Sequence, residues 1–515
     1  MKSRIRNIFS FLESGLIERQ IPARLSLLAA LSGEHILIIG KPGTAKSELA
    51  RRLHHVFDNA TYFERLLTRF SVPEELFGPL SIKALEQDKY QRLTQHYLPQ
   101  ASIAFIDEIF KANSAILNAL LTLLNEREFD NGSERVKTPL ICVVAASNEL
   151  PEDENLQALY DRFLLRYQVN PVADEYFDAL LDLAESPHND YQKLSLDDIQ
   201  QIQMSARQVI LTDTARQLMK ALRSYLQQQS IYVSDRRWRK LLKLLQVAAC
   251  TNGQTAITHW DCVLLLHAVW DKPEQLSGLQ QWFYQYQHIN YQDVIQRFEK
   301  LVSAWEQKTQ TDAARYVHRK NDKGDKLYVT PEGEVTTQHE HVAVMLRHGE
   351  AVYKAPPPAK DRNNQGKGYT LAELSEHFFD DHYRQTHIEG KWVDLQQYVS
   401  NTQNRMSEHI VYQAVTDAFL FAAQYISANR SEAMQIINDL QKFQSDFNTQ
   451  YASLHQELEA HLWLADAMAS DVLRPLHQVM ARLASYEHRM RAVIVNIDSL
   501  KVLPQESPDL ENTGI

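Results

Sequence analysis

The sequence predicts an α/β nucleotide-binding core followed by long helical segments, and three observations carry that prediction. Short β-branched apolar runs at 35–39, 103–106 and 141–146 alternate with helical patterns through residues 1 to about 180. That alternation is the pattern of a parallel sheet covered by helices. A glycine loop sits between the first run and the helix-compatible stretch Glu48–Leu53. From 391 to 513 there is no glycine at all, as expected of long helices.

Bulk properties bound the rest. At 515 residues the chain exceeds a single core. Hydrophobic content of 44% and charged content of 23% fit a soluble globular protein. Cys142, Cys250 and Cys262 are scattered, without a C-x-x-C, which argues against a disulfide framework or a zinc ribbon and fits a reducing cytosol. No apolar run approaches membrane-spanning length and no signal peptide opens the chain, so a cytoplasmic location is expected. The net charge of −11 disfavours a nucleic-acid motor, which needs a basic face.

Element by element, residues 1–180 are expected to form the α/β core. Within it, Ala115–Leu124 reads as an apolar helix, and Glu128 to Ser133 as a hairpin turning at Asn131-Gly132. Residues 181–290 read as an all-α lid. Ser234 suits an N-cap for a helix through Trp238 and Leu245, and Thr258 to Asp261 resembles a capping box before Cys262–Leu266. Residues 326–404 change character and read as a small α+β insert of unknown role. It holds a hairpin around Pro331-Glu332-Gly333, a mobile loop containing Pro356-Pro357-Pro358 and Asn363-Asn364, and a short helix capped by Thr370 and Glu373. Residues 291–325 and 405–503 are expected to form a discontinuous helical arm, and 504–515 a tail. The stripe Leu440, Phe443, Phe447, Tyr451, Leu454, Leu458, Leu462, Ala465 steps by threes and fours and is expected to pack on a helix of the same chain. Pro475 is expected to end or kink that helix near Arg474.

The chemistry concentrates in five places. Gly40-Lys41-Pro42-Gly43-Thr44-Ala45-Lys46-Ser47 follows a strand and opens a helix, the layout of a cradle for nucleotide phosphates. Lys46 would reach the β- and γ-phosphates of ATP and Ser47 would hold Mg²⁺, although Ala45 stands where the usual pattern has glycine. About 60 residues on, the apolar run 103–106 ends in Asp107-Glu108, which puts two carboxylates at the ligand-binding edge of a parallel sheet. Asp107 would contact Mg²⁺ and Glu108 would polarise the attacking water. Asn148, at the end of the run 141–146, would hydrogen-bond the γ-phosphate or the lytic water. Arg162, with Arg166 as the alternative, is the candidate finger, a group that contributes roughly 10³–10⁵ in rate to hydrolases of this class. Arg236 or Arg237, opening a lid helix, would report the nucleotide state.

Taken together these elements resemble the MoxR branch of the AAA+ ATPases. The resemblance runs through Gly40 to Ser47, Leu67 to Ser71 with Pro73-Glu74-Glu75, Phe77 to Ser81, Tyr97-Leu98-Pro99, Asp107-Glu108-Ile109, Asn125-Glu126-Arg127, Ala145 to Pro151, Tyr160-Asp161-Arg162 and Val233 to Trp238. It is dense from about 15 to 250, roughly half the chain. It implies a Walker A at Lys46 and Ser47, a Walker B at Asp107 and Glu108, sensor 1 at Asn148, an arginine finger at Arg162 and sensor 2 at Arg236. The alanine at 45 fits this branch, whose loops resemble G-P-P-G-T-A-K-S. The resemblance further implies a homo-hexameric ring with nucleotide between subunits, and a chaperone-like remodeler of a protein client beside a von Willebrand A-domain partner. Within the branch the match is strongest to the RavA-type regulatory ATPases, with their ViaA-like partner. The insert does not resemble the β-rich LARA domain of that type, so its ligand is left open. A nucleic-acid translocase and a nucleotide-gated scaffold are the competing readings.

Overall fold

The computed structural model describes residues 1–151, 153–183, 191–287, 291–357 and 365–504. The three expected strands are present as β1 (Ile36–Ile39), β3 (Ile103–Asp107) and β6 (Cys142–Ser147), and the expected hairpin as β4 (Glu128–Asn131) and β5 (Glu134–Lys137); two strands that were not expected, β2 (Tyr62–Leu66) and β7 (Leu165–Gln168), join them. The five core strands form one parallel sheet in the order β2-β3-β6-β1-β7. Every residue of β1 and β6 is buried, as a strand covered on both faces requires. Ile39 lies opposite Ser147 on one side and Gln168 on the other, and Leu66 lies opposite Asp107. All carboxyl ends therefore meet at one edge, which brings together Gly40, Glu108, Asn148 and Val169.

Helices α2 (Gln20–Ser32) and α3 (Lys46–Val56) pack on this sheet, and α1 (Lys2–Glu13) packs on both of them. α2 is buried from Leu25 to Ser32 and packs on β1, β6, β7 and α3. The β4–β5 turn falls at Gly132, where φ is +74° and an added Cβ would stand 1.8 Å from the Tyr90 carbonyl oxygen, so only glycine fits.

The all-α lid consists of helices Leu196–Ala206, Asp213–Gln228, Asp235–Thr251 and Gln275–Gln287. Each of the first three begins at a hydroxyl cap, Ser195, Thr212 and Ser234. Thr258 and Asp261 do bond as a cap, at 2.7 and 2.8 Å, but the buried stretch that follows, Asp261–His267, winds as a 3₁₀ helix. The α/β core with an all-α lid and a helical arm is thus the architecture.

The arm departs from expectation in two respects: its helical spans are shorter, since strands occupy 316–318 and most of 407–418, and its break lies elsewhere. Helix Ala423–Ala460 ends before the stripe does, and helix Asp466–Asp498 does not end at Pro475 but continues past it. The break lies at 461–465 because buried polar partners select it. Leu462 N–H donates to Asn252 Oδ1 (3.0 Å), Trp463 Nε1–H to Thr251 Oγ1 (2.8 Å), and Arg24 to the Leu464 carbonyl (2.8 Å). His461 pairs with Asp261 at 3.1 Å. A proline inside a helix costs about 3 kcal/mol, which this packing outweighs. The stripe does face its own chain: Leu440, Phe447, Leu458 and Leu462 are buried, and Phe443 packs on Tyr291 and Phe298.

The chain divides into two compact units, Met1–Phe298 with Leu440–Ser485, and Glu299–Asp439 with Tyr486–Ile515. The second contains the insert, and it is wider and more β-rich than the span 326–404. Pairing begins at Tyr316, opposite Ala418, and includes a ladder of Glu340–Val344 with Ser407–Val411. The expected hairpin is present as Tyr328–Val329 against Val335–Thr336, and Thr370 and Glu373 form their capping box. A small core of Tyr353, Tyr369, Leu374, Phe379 and Tyr398 holds it. Of the proline-asparagine loop, residues 358–364 lie outside the described residues, as do 505–515 of the tail.

Candidate functional site

The loop 40–47 turns between β1 and α3 at the carboxyl edge of the sheet. Its entry is tight: a Cβ on Gly40 would stand 2.3 Å from the Val169 carbonyl oxygen. Gly43 and Ala45 both take left-handed backbone, at φ +79° and +63°. Thr44 closes the loop on itself, its hydroxyl donating to the Lys41 carbonyl at 2.8 Å. Lys46 and Ser47 are the first two residues of α3, where main-chain N–H groups lack helical partners and favour an anion.

Lys46 is buried, and its amine donates to the carbonyls of Gly40 (2.5 Å) and Lys41 (2.9 Å) and to Asn148 Oδ1 (3.4 Å). Burial holds its pKa below the usual lysine value, while Asp107 and Glu108 act in the opposite direction. Glu108 has a strained left-handed backbone at φ +53°, which suits a functional position. Its carboxylate accepts from Asn148 Nδ2 at 2.5 Å and pairs with Lys111 at 3.2 Å. Its N–H donates to Asp107 Oδ1 at 3.0 Å. Lys46, Asp107, Glu108 and Asn148 therefore form one cluster. Ser47 and Asp107 offer the hard oxygen donors that Mg²⁺ takes, so the residues fit that ion.

The arginines belong to a second cluster and split into two kinds. Arg166 is buried, stacks 3.7 Å from the Tyr160 ring, and bonds the Trp270 carbonyl and Asp271. Arg237 is buried and donates to the carbonyls of Asp161, Phe163, Leu164 and Ala268. Both are spent on structure. Arg162 keeps a buried Nε with no partner among the described residues, and its pKa is lowered by burial and then by the charge of Arg236. Arg236 is exposed and donates to Asn125 Oδ1 at 2.7 Å. Arg162 and Arg236 thus share a neighbourhood, and among the described residues no contact links Arg236, the expected reporter of nucleotide state, to Lys46.

One residue at the site carried no signal in the sequence. Arg19 lies in the turn between α1 and α2 and is 5% exposed. It donates from Nε to the Thr44 carbonyl at 3.1 Å and to the Asn170 carbonyl at 2.8 Å. No spacing rule links a turn arginine to a loop some 25 residues later; only the closure of the fold does.

Comparison with known proteins places this geometry in context. A family model described as the MoxR domain in the MoxR-vWA-beta-propeller ternary systems matches residues 3–204, and one described as an AAA lid domain matches residues 215–283. Two uncharacterized proteins of Methanocaldococcus jannaschii are 42% identical over 267 residues and 41% identical over 271. These matches span 51% and 52% of this chain and 70% of each archaeal protein. Chaperone MoxR1 of Mycobacterium tuberculosis is 26% identical over 182 residues, 34% of this chain and 47% of that protein.

Proposed function

This chain belongs to the MoxR family of AAA+ ATPases, and we propose that it works as a ring-forming, Mg²⁺-dependent motor that remodels a protein client beside a von Willebrand A-domain partner. ATP hydrolysis is the activity of the family. The observation that carries the reading to particular residues is the Lys46, Asp107, Glu108, Asn148 cluster at the carboxyl edge of the sheet, with Glu108 gripped by Asn148 at 2.5 Å. In this reading the loop N–H groups and Lys46 bind the phosphates, and Ser47 and Asp107 hold Mg²⁺, which neutralises phosphate charge. Glu108 accepts a proton from the attacking water, and Asn148 orients Glu108.

Arg162 and Arg236 are assigned to the nucleotide of a neighbouring subunit. The support is that they share a cluster to which Lys46 does not belong, and that Arg166 and Arg237 are consumed by main-chain carbonyls. This makes a homo-hexameric ring the natural assembly. The partner follows from the matched family's description, and the three free cysteines suit a cytoplasmic setting. Among the described residues no helix is long and apolar enough to cross a membrane.

The test is phosphate release by the purified chain with Mg²⁺ and ATP. Lys46→Ala should lose nucleotide binding. Glu108→Gln should bind ATP yet lose about 10²–10⁴ in turnover, the contribution of a general base. Turnover by Glu108→Gln within threefold of wild type would remove Glu108 from its role.

A further inference from the structure

We propose that Arg19 is a positioning residue for nucleotide binding: it holds the Thr44–Ala45 peptide so that an alanine can occupy the left-handed position where phosphate loops of this pattern carry glycine. The inference rests on the loop's being the nucleotide site.

The argument starts from Ala45. At φ +63° an L-residue is strained, because its Cβ crowds the backbone. Glycine would take this conformation freely; alanine needs its surroundings to impose it. Arg19 supplies that constraint. In a trans peptide the C=O and the next N–H point in opposite directions. Fixing the Thr44 carbonyl on the Arg19 Nε–H, at 3.1 Å, therefore fixes the direction of the Ala45 N–H. Arg19 is buried, so that N–H is turned away from the interior.

Arg19 is itself anchored by three carbonyls. Its planar guanidinium also donates to the carbonyls of Asn170, two residues after β7, and of Glu18. Glu18 is tied down in turn, its carboxylate accepting from the Ala173 N–H at 2.8 Å. One side chain thus bridges the α1–α2 turn, the phosphate loop and the end of β7. A binding site for phosphate depends on N–H groups already aimed, so loss of this bridge should weaken binding and leave the chemical step largely alone.

The experiment is ADP and ATP binding and steady-state hydrolysis by the full chain, for wild type, Arg19→Met, Ala45→Gly and the double variant. Arg19→Met should raise the ADP Kd and the ATP KM by about tenfold, with kcat within about threefold. Arg19→Lys should recover part of the loss. In the Ala45→Gly background the Arg19→Met penalty should shrink to about threefold or less, because glycine needs no restraint there. Should Arg19→Met fail to fold, Arg19→Gln, which keeps one donor nitrogen in place of the guanidinium's three, carries the same comparison. Arg19→Met with a Kd within twofold of wild type overturns the proposal, as does an equal penalty in both backgrounds. A wild type that binds no ADP overturns the site reading beneath it.

Discussion

Replacing Arg237 should destabilise the protein, while replacing its neighbour Arg236 should leave the fold intact and stop turnover. The Arg237 guanidinium, 4% exposed, donates to the carbonyls of Phe163 and Leu164 at 3.1 and 2.9 Å and to that of Ala268 at 2.8 and 2.9 Å. It also reaches Asp161, through both its carbonyl and its carboxylate. Burial, with Arg166 close by, pulls its pKa down to about 9, so the charge is held there at a cost. Arg237→Met removes that cost but strands three carbonyls of buried residues. Each such group costs about 1–3 kcal/mol unsatisfied. The half-exposed Asp161 can turn to water. Three such groups come to about 3–9 kcal/mol, and the relieved desolvation brings the expected loss to the lower end, about 3–5 kcal/mol.

At about 2–4 °C per kcal/mol for a unit of this size, the melting temperature should fall on the order of 10 °C. Arg236 is exposed and bonds only the Asn125 side chain among the described residues, so Arg236→Ala should melt within about 2 °C of wild type. Its ATP turnover should nevertheless collapse. The assay is a calorimetric melt of each variant paired with phosphate release well below the melt. An Arg237→Met protein that melts with wild type would refute the ledger of stranded carbonyls. An Arg236→Ala protein that is equally destabilised would refute the division of labour.

Two further outcomes follow from the same packing. Trp463 is fully buried, meets Phe9 edge-on at 5.3 Å and bonds Thr251 and Ala248, so Trp463→Ala should cost about 3–5 kcal/mol in a denaturant melt; a loss under about 1 kcal/mol would count against the turn as an anchor. His267 is buried with no partner for Nδ1 among the described residues, and burial pulls its pKa down to about 4. The unfolded imidazole titrates near 6.5, so between those values the unfolded chain binds a proton that the folded chain refuses. The stability is present above pH 6.5 and is lost as pH falls toward 4, by about 3 kcal/mol in all. His35, buried and shifted the same way, adds to the loss. Urea midpoints at pH 7 and 4.5 should differ less in His267→Phe than in wild type; an equal difference would show that His267 does not contribute.

The parts of this site that could be read in advance are those that depend on local pattern alone. In a parallel sheet every strand's carboxyl end reaches the same edge, so Gly40, Asp107, Glu108 and Asn148 meet whatever the fine register. The choice between Arg162 and Arg166 was not of that kind. It turns on whether Trp270 and Asp271, more than 100 residues later, close over Arg166. The insert was harder still. Glu340 pairs with Val411 and Tyr316 with Ala418, contacts of long separation between short strands with almost no alternation to betray them. At Pro475 the helix does not end, because propensity is a weak prior beside tertiary packing, and the buried partners of 461–464 set the break upstream instead.

The four arginines also explain one another. Arg237 grips Asp161 on one side of Arg162 and Phe163 and Leu164 on the other. Arg166 ties the start of β7 to Trp270 and Asp271 at the end of the lid's 3₁₀ segment. Arg236 leaves the same helix turn as Arg237. The stretch that carries Arg162 is therefore locked to the lid helix that carries Arg236, and the spacing of the two functional candidates is set by the two buried arginines beside them. A lid that rotated against the core would have to break the Arg237 contacts to move Arg236 without Arg162, at the several kcal/mol reckoned above. The Arg237 contacts join the lid helix to residues 161–164, so a lid rotation that kept them would carry Arg162 and Arg236 together.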